Sequence, residues 1–481
     1  MPQKTVLAVD LGAESGRVMA VHYDGTGLRL EELHRFSNGP IDVRETLYWD
    51  FLRLWSEIKI GIEKGKQYHP AGIGVDTWGV DFALLDRDGR LLSNPVHYRD
   101  KRTEGIMETV FATVPKEEIF SRTGIQFMRI NTLFQIKSMV HAASPILQAA
   151  ETFLMAPDLI NYWLTGEIAN EYTAATTSQM LNARSASWDT DLLGSLNIPT
   201  HLFADVVPPG TKLGAYNGIP VIAPASHDTG SAVAAVPTET ADYCFISSGT
   251  WSLIGLETQK PYLGVDALAA NVTNEGGVFG TYRLLQNATG LWIVQQCRAA
   301  WRQQGQDYSY AQLVELALSA LPLDAFINVN DPAFLPPGDH PRLVQEYCAR
   351  TGQRVPQSPG AIIRTVLQSL ALTYRLTLNK LLAVSGRTAK IIHIVGGGIQ
   401  NELLNQMAAN ATGRPVIAGP IEATVIGNAL VQLIALGELQ DIGEGRQLVA
   451  NMNAWKCYEP QDTAIWNDAS LRYETLLKGS Q

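Results

Sequence analysis

Three apolar runs open the chain, each closed by a short polar or glycine-containing turn: Thr5–Asp10 (TVLAVD), Gly16–Tyr23 (GRVMAVHY) and Leu28–Phe36 (LRLEELHRF). Alternation and β-branched content predict a three-stranded meander, with Asp24-Gly25 in the second turn. The spacing then changes. FLRLWSEIKIGIEKG places apolar residues three and four apart, which predicts an amphipathic helix. Ala71–Asp86 (AGIGVDTWGVDFALLD) reads as a strand, a Trp-Gly interruption and a second strand. Helical segments follow as far as APDLINYWLTGE. Gly218–Val236 then carries a short apolar strand into Ser226-His227-Asp228-Thr229 and a small-residue helix.

The polar stretch Pro237–Asp242 marks a predicted boundary, after which the opening pattern returns in Tyr243–Glu257 (YCFISSGTWSLIGLE). Further on, Ser358 as cap, Pro359 at the first helical position and Gly386 as stop frame one long helix of about 40 Å at 1.5 Å per residue. AKIIHIVGGGIQNELLNQ gives a buried strand, three glycines and a helix starting near Asn401. Two similar α/β halves are therefore expected, with a ligand cleft between them.

Composition narrows the choices. At 481 residues the chain is too long for one core, and its 46% hydrophobic and 17% charged content is that of a soluble globular protein. A net charge of −10 without a basic stripe argues against nucleic-acid or anionic-membrane partners. No apolar run is long enough to span a bilayer, and strand-like sequence begins by Thr5, so a cytoplasmic protein without a signal peptide is expected. Scattered Cys244, Cys297, Cys348 and Cys457 predict neither a zinc site nor a disulfide.

In the first turn, DLGAESGR, the small residues Gly12, Ala13, Ser15 and Gly16 let backbone N–H groups approach an oxyanion; Ser15 adds a hydroxyl and Arg17 a guanidinium. Asp10 beside them suits hydrated Mg2+, which takes one or two carboxylates together with phosphates. A bare hairpin with an exposed Asp is the alternative. SSGTWS (Ser247–Ser252) offers a second set of donors, with Thr250 the candidate γ-phosphate contact, or else a plain turn. In VGGGIQN (Val395–Asn401) exposed backbone can lie against a base and its sugar; the spacing is not G-x-G-x-x-G. Asp228 is either the base that takes a proton from an attacking hydroxyl or a helix cap. Asp76 and Asp81, either side of Trp78-Gly79, either bond sugar hydroxyls with Trp78 against an apolar sugar face or are held in a turn.

In sequence order, VDLGAESGRVM, GVDTWGVDFALLD, YRDKRTEG, TGIQFMRINTLFQ, PDLINYWLTG, ASHDT, SSGTWSL, NEGG, GLWIVQ and HIVGGGIQNELLNQ resemble the FGGY carbohydrate kinases, of the actin/Hsp70/hexokinase-like ATPases. The resemblance runs nearly end to end. It implies an α/β fold of two ribonuclease-H-like lobes with a central cleft: residues 1–238 mainly sugar-binding, with the first phosphate turn, and residues 239–481 mainly ATP-binding. It implies ATP as co-substrate, Mg2+ bound near Asp10 through water, and a small-molecule sugar as the other partner. The expected acceptor is L-rhamnulose, with L-fuculose, L-xylulose or another ketose or polyol as rivals, and the expected state is a monomer or weak homodimer. Ala13, Glu14, Ser15, Gly16 and Arg17 would contact ATP phosphates, completed by Thr250, Gln295 and Gly397. Gly79, His227, Asp228, Thr229 and Asn287 would line the sugar, with Asp228 the proton acceptor. Glu14 departs from the Thr-rich first turn of glycerol kinases, and an acid beside phosphates fits only if it points outward or helps hold the metal.

Overall fold

A computed structural model describes residues 3–452 and 455–479 of the chain. They form two compact units. The first comprises Met1–Glu239, Glu257–Leu285 and Ala423–Asn453; the second comprises Thr240–Leu256, Gln286–Glu422 and Ala454–Gln481.

In the first unit the opening meander is β1 (Lys4–Leu11), β2 (Ser15–Tyr23) and β3 (Leu28–Ser37). β1 and β2 are almost wholly buried, whereas β3 ends the sheet and is half open. A parallel neighbour needs a crossover, and helix α1 (Phe51–Gly65) supplies it. Asp50 caps α1 by accepting from the Arg53 N–H, and Phe51, Leu54, Ile58 and Ile62 form its buried stripe. Gly61 lets α1 settle on Val18, whose methyl would lie 2.3 Å from a Cβ there. Strand β4 (Gly72–Thr77) then pairs in parallel with β1.

The second half of Ala71–Asp86 does not join this sheet. After Trp78-Gly79 the chain passes through Val80 at φ 66°, and β5 (Phe82–Leu85) pairs instead with Thr152–Met155. Helices α2 (Thr132–His141) and α3 (Tyr172–Thr176) follow, then β6 (Lys212–Tyr216) and β7 (Ile219–Ile222). The sheet order is β6-β7-β4-β1-β2-β3, with β7 parallel to β4. From β7 the chain reaches helix α4 (Asp228–Ala234), and the Thr77 N–H donates to Ser226 O at 2.9 Å. The unit is completed by helix Ala423–Leu436, whose Gly427 meets the Ser231 backbone so closely that a Cβ would overlap it.

The second unit repeats the plan. Antiparallel β8 (Tyr243–Ser248) and β9 (Trp251–Thr258) lead to helices α5 (Trp292–Gln303) and α6 (Pro359–Ser385). Ser358 caps α6, Pro359 opens it and Gly386, at φ 65°, ends it. Strand β10 (Ile391–Val395) lies parallel to β8, and the glycines form a 3-10 turn at Gly397–Gln400 before helix α7 (Glu402–Thr412), capped by Asn401. β11 (Val416–Ala418) and β12 (Lys456–Tyr458) extend the order to β9-β8-β10-β11-β12. Both units are thus α/β layers on mixed sheets. All four cysteines are free thiols. Among the described residues no helix is long and apolar enough to cross a membrane.

Candidate active site

The first turn is closed by the Gly12 N–H donating to Ser15 O at 2.9 Å and braced from β3, where Asn38 Nδ2 donates to Gly12 O and the Asn38 N–H to Glu14 O. The Glu14 side chain is exposed, while Ala13 and Ser15 are half-buried. Gly16 must also be small for packing: a Cβ would lie 2.3 Å from the Phe36 ring. Register places Asp10 opposite Arg17 on β2 and beside Asp76 on β4. Arg17 Nε and Nη2 donate to Asp10 Oδ2 at 2.9 and 2.7 Å. The proposed metal and phosphate groups of this turn therefore neutralise one another without ligand.

Asp228 is not the cap of α4. That position is held by His227, which makes no side-chain cap bond because its ring is committed elsewhere. His227 Nδ1 stands 3.1 Å from Arg283 Nη2 and 3.2 Å from Glu275 Oε2, with Nε2 3.4 Å from Asp228 Oδ1. Arg283, fully buried, also donates from Nε to Gly276 O. Asp228 opens the helix, and its Oδ1 accepts from the Thr229 N–H at 2.6 Å. Its side chain keeps 31% of its surface open. Burial raises its pKa above the usual carboxylate range, opposed by His227 and reinforced by Asp10. Asp76, fully buried, is raised well above that range by desolvation and then by Asp10; Asn428 donates to its Oδ2 at 2.6 Å and its Oδ1 has no partner.

Asp81 has a different task from the hydroxyl contact expected of it. Its carboxylate accepts from the indole N–H of Trp49 at 2.5 Å and of Trp78 at 2.9 Å, and from Gln135 Nε2 at 3.1 Å. Burial still pushes it up to about 6. The Trp78 ring packs on Trp49 at 4.0 Å and is only 6% exposed, so this aromatic pair is a floor pinned from below. Gly79 faces Thr177, which would stand 3.0 Å from a Cβ, and Thr177 Oγ1 accepts from the Val80 N–H. A β-branched residue at positive φ stores about 1–3 kcal/mol of strain, and such strain gathers where geometry serves function.

In the second unit the other expected residues converge. Gln295 Nε2 on α5 reaches Thr250 Oγ1 at 3.4 Å, and Thr250 O accepts from the N–H groups of Gly290 and Trp292. A Cβ on Gly398 would lie 2.2 Å from Ser248 Oγ, and one on Gly290 2.6 Å from the Trp251 backbone. The hairpin turn, the start of α5 and the glycine turn therefore meet at backbone distance. Gly397 alone looks outward, with nothing within 4 Å of an added Cβ. Asn287 lies in the second unit, whereas Gly79, His227, Asp228 and Thr229 lie in the first.

Several partners escaped the sequence reading. Glu275 stood inside NEGG and Gln135 at the end of TGIQFMRINTLFQ without a role, and Arg283 and Trp49 had no local signature. Asn428 arrives from a helix 352 positions away from Asp76. A separate cavity of about 460 Å3 in the first unit, bordered by Phe82, Arg102, Ser138 and Ile146, involves none of the expected residues. Among the described residues no cluster of three or more His, Cys, Asp or Glu has the arrangement of a metal centre.

Residues 5–230 match the N-terminal domain, and residues 244–436 the C-terminal domain, of the FGGY family of carbohydrate kinases. A rhamnulokinase of Bacteroides thetaiotaomicron is 42% identical over 490 residues, covering 99% of this chain and 100% of the relative. One from Oceanobacillus iheyensis is 41% identical, covering 93% and 96%. The fold matches ligand-bound xylulose kinase from Lactobacillus acidophilus (TM-score 0.79, 16% identity, 99% and 98% covered). It also matches Plasmodium falciparum glycerol kinase with ADP (TM-score 0.75, 14% identity, 99% and 98% covered). With both of its domains matched and such relatives along its whole length, the chain belongs to the FGGY family of carbohydrate kinases, phosphotransferases that take ATP as co-substrate.

Proposed function

We propose that this protein transfers the γ-phosphoryl group of ATP to the 1-hydroxyl of L-rhamnulose, giving L-rhamnulose 1-phosphate and ADP. The observation that carries the acceptor assignment is 42% identity to a curated rhamnulokinase over 99% of the chain. The hydroxyl oxygen attacks the γ-phosphorus, the bond to the ADP oxygen breaks, and the hydroxyl proton passes to Asp228. Asp228 suits that task because its Oδ1 is oriented by the Thr229 N–H while a third of the side chain stays open. Gly79, His227, Thr229 and Asn287 hold the sugar. Ala13, Ser15, Gly16 and Arg17 meet the phosphates by backbone and guanidinium, with Glu14 contributing its backbone, and Thr250, Gln295 and Gly397 hold the nucleotide. Arriving phosphate competes with Asp10 for the two Arg17 N–H groups.

The residues fit a magnesium ion. Asp10 lies beside Asp76, whose buried Oδ1 has no partner, and the donors are hard carboxylate oxygens. When bound, Mg2+ neutralises charge on the β- and γ-phosphates. We place the enzyme in the cytoplasm, where ATP is supplied.

ADP release over a panel of ketoses and polyols tests the reading. L-Rhamnulose is expected to give the highest kcat/KM. Faster turnover of L-fuculose or L-xylulose would move the acceptor, and no turnover of any sugar would end the assignment.

A further inference from the structure

The segment EYTAATT, Glu171–Thr177, lies outside every motif singled out in the sequence, yet its polar side chains are buried and grip one sugar-side loop after another. Glu171 Oε2 accepts from the Ser226 N–H at 3.1 Å. Thr173 Oγ1 accepts from the His227 N–H at 3.1 Å, Thr176 Oγ1 from the Gly276 N–H at 2.9 Å and Thr177 Oγ1 from the Val80 N–H at 3.0 Å. Each hydroxyl spends its own proton inside the segment: Thr173 on Glu171 Oε2, Thr176 on Thr173 O and Thr177 on Ala174 O. That leaves each oxygen as a fixed acceptor for a backbone N–H.

The fit is also steric. Thr177 fills the space a side chain at residue 79 would take, and the Tyr172 ring would lie 2.4 Å from a Cβ on Gly276. Val80, held at φ 66°, is gripped on its other side too, its carbonyl accepting from Thr132 Oγ1 at 2.6 Å and Gln135 Nε2 at 3.1 Å. The segments so fixed are the loops carrying Gly79 and His227 with Asp228, and the strand Thr273–Gly276 carrying Glu275, the partner of His227.

We propose that Glu171, Thr173, Thr176 and Thr177 are positioning residues that align the acceptor site, setting residues 79–80, 226–228 and 275–276 against one another. The proposal rests on the reading of Gly79 and His227–Thr229 as sugar-facing. None of the four touches substrate; they act through the backbone of the segments they hold.

Thr177→Val keeps shape and removes the acceptor, and Thr177→Ser restores it. A buried N–H left without its partner is expected to raise the ketose KM at least about tenfold in Thr177→Val, with the KM for ATP within twofold of wild type. Thr177→Ser should return to within about threefold, and amide exchange at Val80 should quicken in the valine variant alone. Should Thr177→Val fail to fold, Thr176→Val carries the same expectation, with the exchange read at Gly276. Unchanged ketose kinetics in a variant with quickened exchange would overturn the proposal. So would a parallel loss of ATP affinity, the mark of general destabilisation. Wild-type protein that turns over no ketose, with exchange as expected, falls instead on the acceptor reading.

Discussion

β1–β2 and β8–β9 share one construction: an antiparallel hairpin whose first strand also pairs in parallel with a later strand, β4 in one unit and β10 in the other. Where β1 and β4 end, the register sets Asp10 beside Asp76; the corresponding end of β8 and β10 sets Ser247 beside Val395. The first hairpin manages charge, with Arg17 across from Asp10 and Asn428 on Asp76. The second manages shape, bringing Gly290 and Gly398 to backbone contact and pairing Ser252 with the Tyr374 hydroxyl at 2.8 Å. The same scaffold thus gathers carboxylates at its strand ends in one unit and neutral donors in the other. Burial pushes Asp76, Asp81, Asp158, Glu171 and Asp228 upward, and each of these five lies in the first unit.

The comparison breaks most readily at Asp228. Asp228→Asn keeps the shape and removes the base, so kcat is expected to fall about 10²–10⁴-fold with ATP binding intact. Retention of more than a tenth of wild-type turnover would leave Asp228 a structural residue.

Asp10→Ala comes next. It strips a carboxylate from the proposed metal and removes the acceptor that Arg17 Nε and Nη2 donate to. Activity at fixed ATP should drop about ten- to a hundredfold, and the Mg2+ concentration for half-maximal rate should rise. A magnesium titration that superimposes on wild type would place the ion elsewhere.

The second hairpin is tested through packing. Gly398→Ala drives a methyl to 2.2 Å from Ser248 Oγ and 2.8 Å from its carbonyl oxygen, so the glycine turn must shift. The KM for ATP should rise about tenfold, as overpacking of about 1–3 kcal/mol allows, while the ketose KM holds. Gly397→Ala meets open space, and its steric effect should be far smaller. Equal effects at 397 and 398 would contradict the shape argument.

The charge asymmetry also predicts a pH signature. A carboxyl whose folded-state pKa lies above its unfolded value favours the fold below the unfolded value, and that advantage is lost as pH rises through the folded one. For Glu171 the window runs from 4.5 to about 7, and for Asp81 from 3.8 to about 6. Amide protection in β1 and β4, corrected for intrinsic exchange, should therefore weaken between pH 5 and pH 7.5 more than that in β8 and β10. Glu171→Gln should flatten its share of the slope. Stronger protection of β1 at pH 7.5 than at pH 5 would reverse the sign and defeat the account.

The sequence was most readable where local pattern decides structure. The opening meander, the capped α6 and the glycine turn before α7 all follow from spacing, caps and breakers within a single window. Reading failed where a distant partner decides. Asp81 reads as either a hydroxyl contact or a turn-held carboxylate, because nothing near it announces that Trp49 and Gln135 claim its oxygens. Gly16 reads as part of an anion-binding turn, with no local sign of the Phe36 ring packed where its side chain would be. Glu171–Thr177 draws no reading at all, because the N–H groups it accepts from belong to segments about 50 to 100 residues away in either direction.

The finest discrimination concerns Glu14, the one acid in the first turn itself. Its side chain is exposed, while its carbonyl accepts from the Asn38 N–H at 2.8 Å, so the backbone of the turn is held in place there. An exposed charge is screened within about 8 Å at physiological ionic strength. If the turn meets phosphates through its backbone, Glu14→Gln should change the KM for ATP by less than about twofold at 0.15 M salt. At low salt the same variant should bind ATP slightly more tightly, because a repelling charge has been removed. The measurement is the KM for ATP of both proteins at two ionic strengths. A tenfold rise at either salt would put the Glu14 carboxylate on the metal, and the first hairpin would then hold its ion with two acids rather than with Asp10 alone.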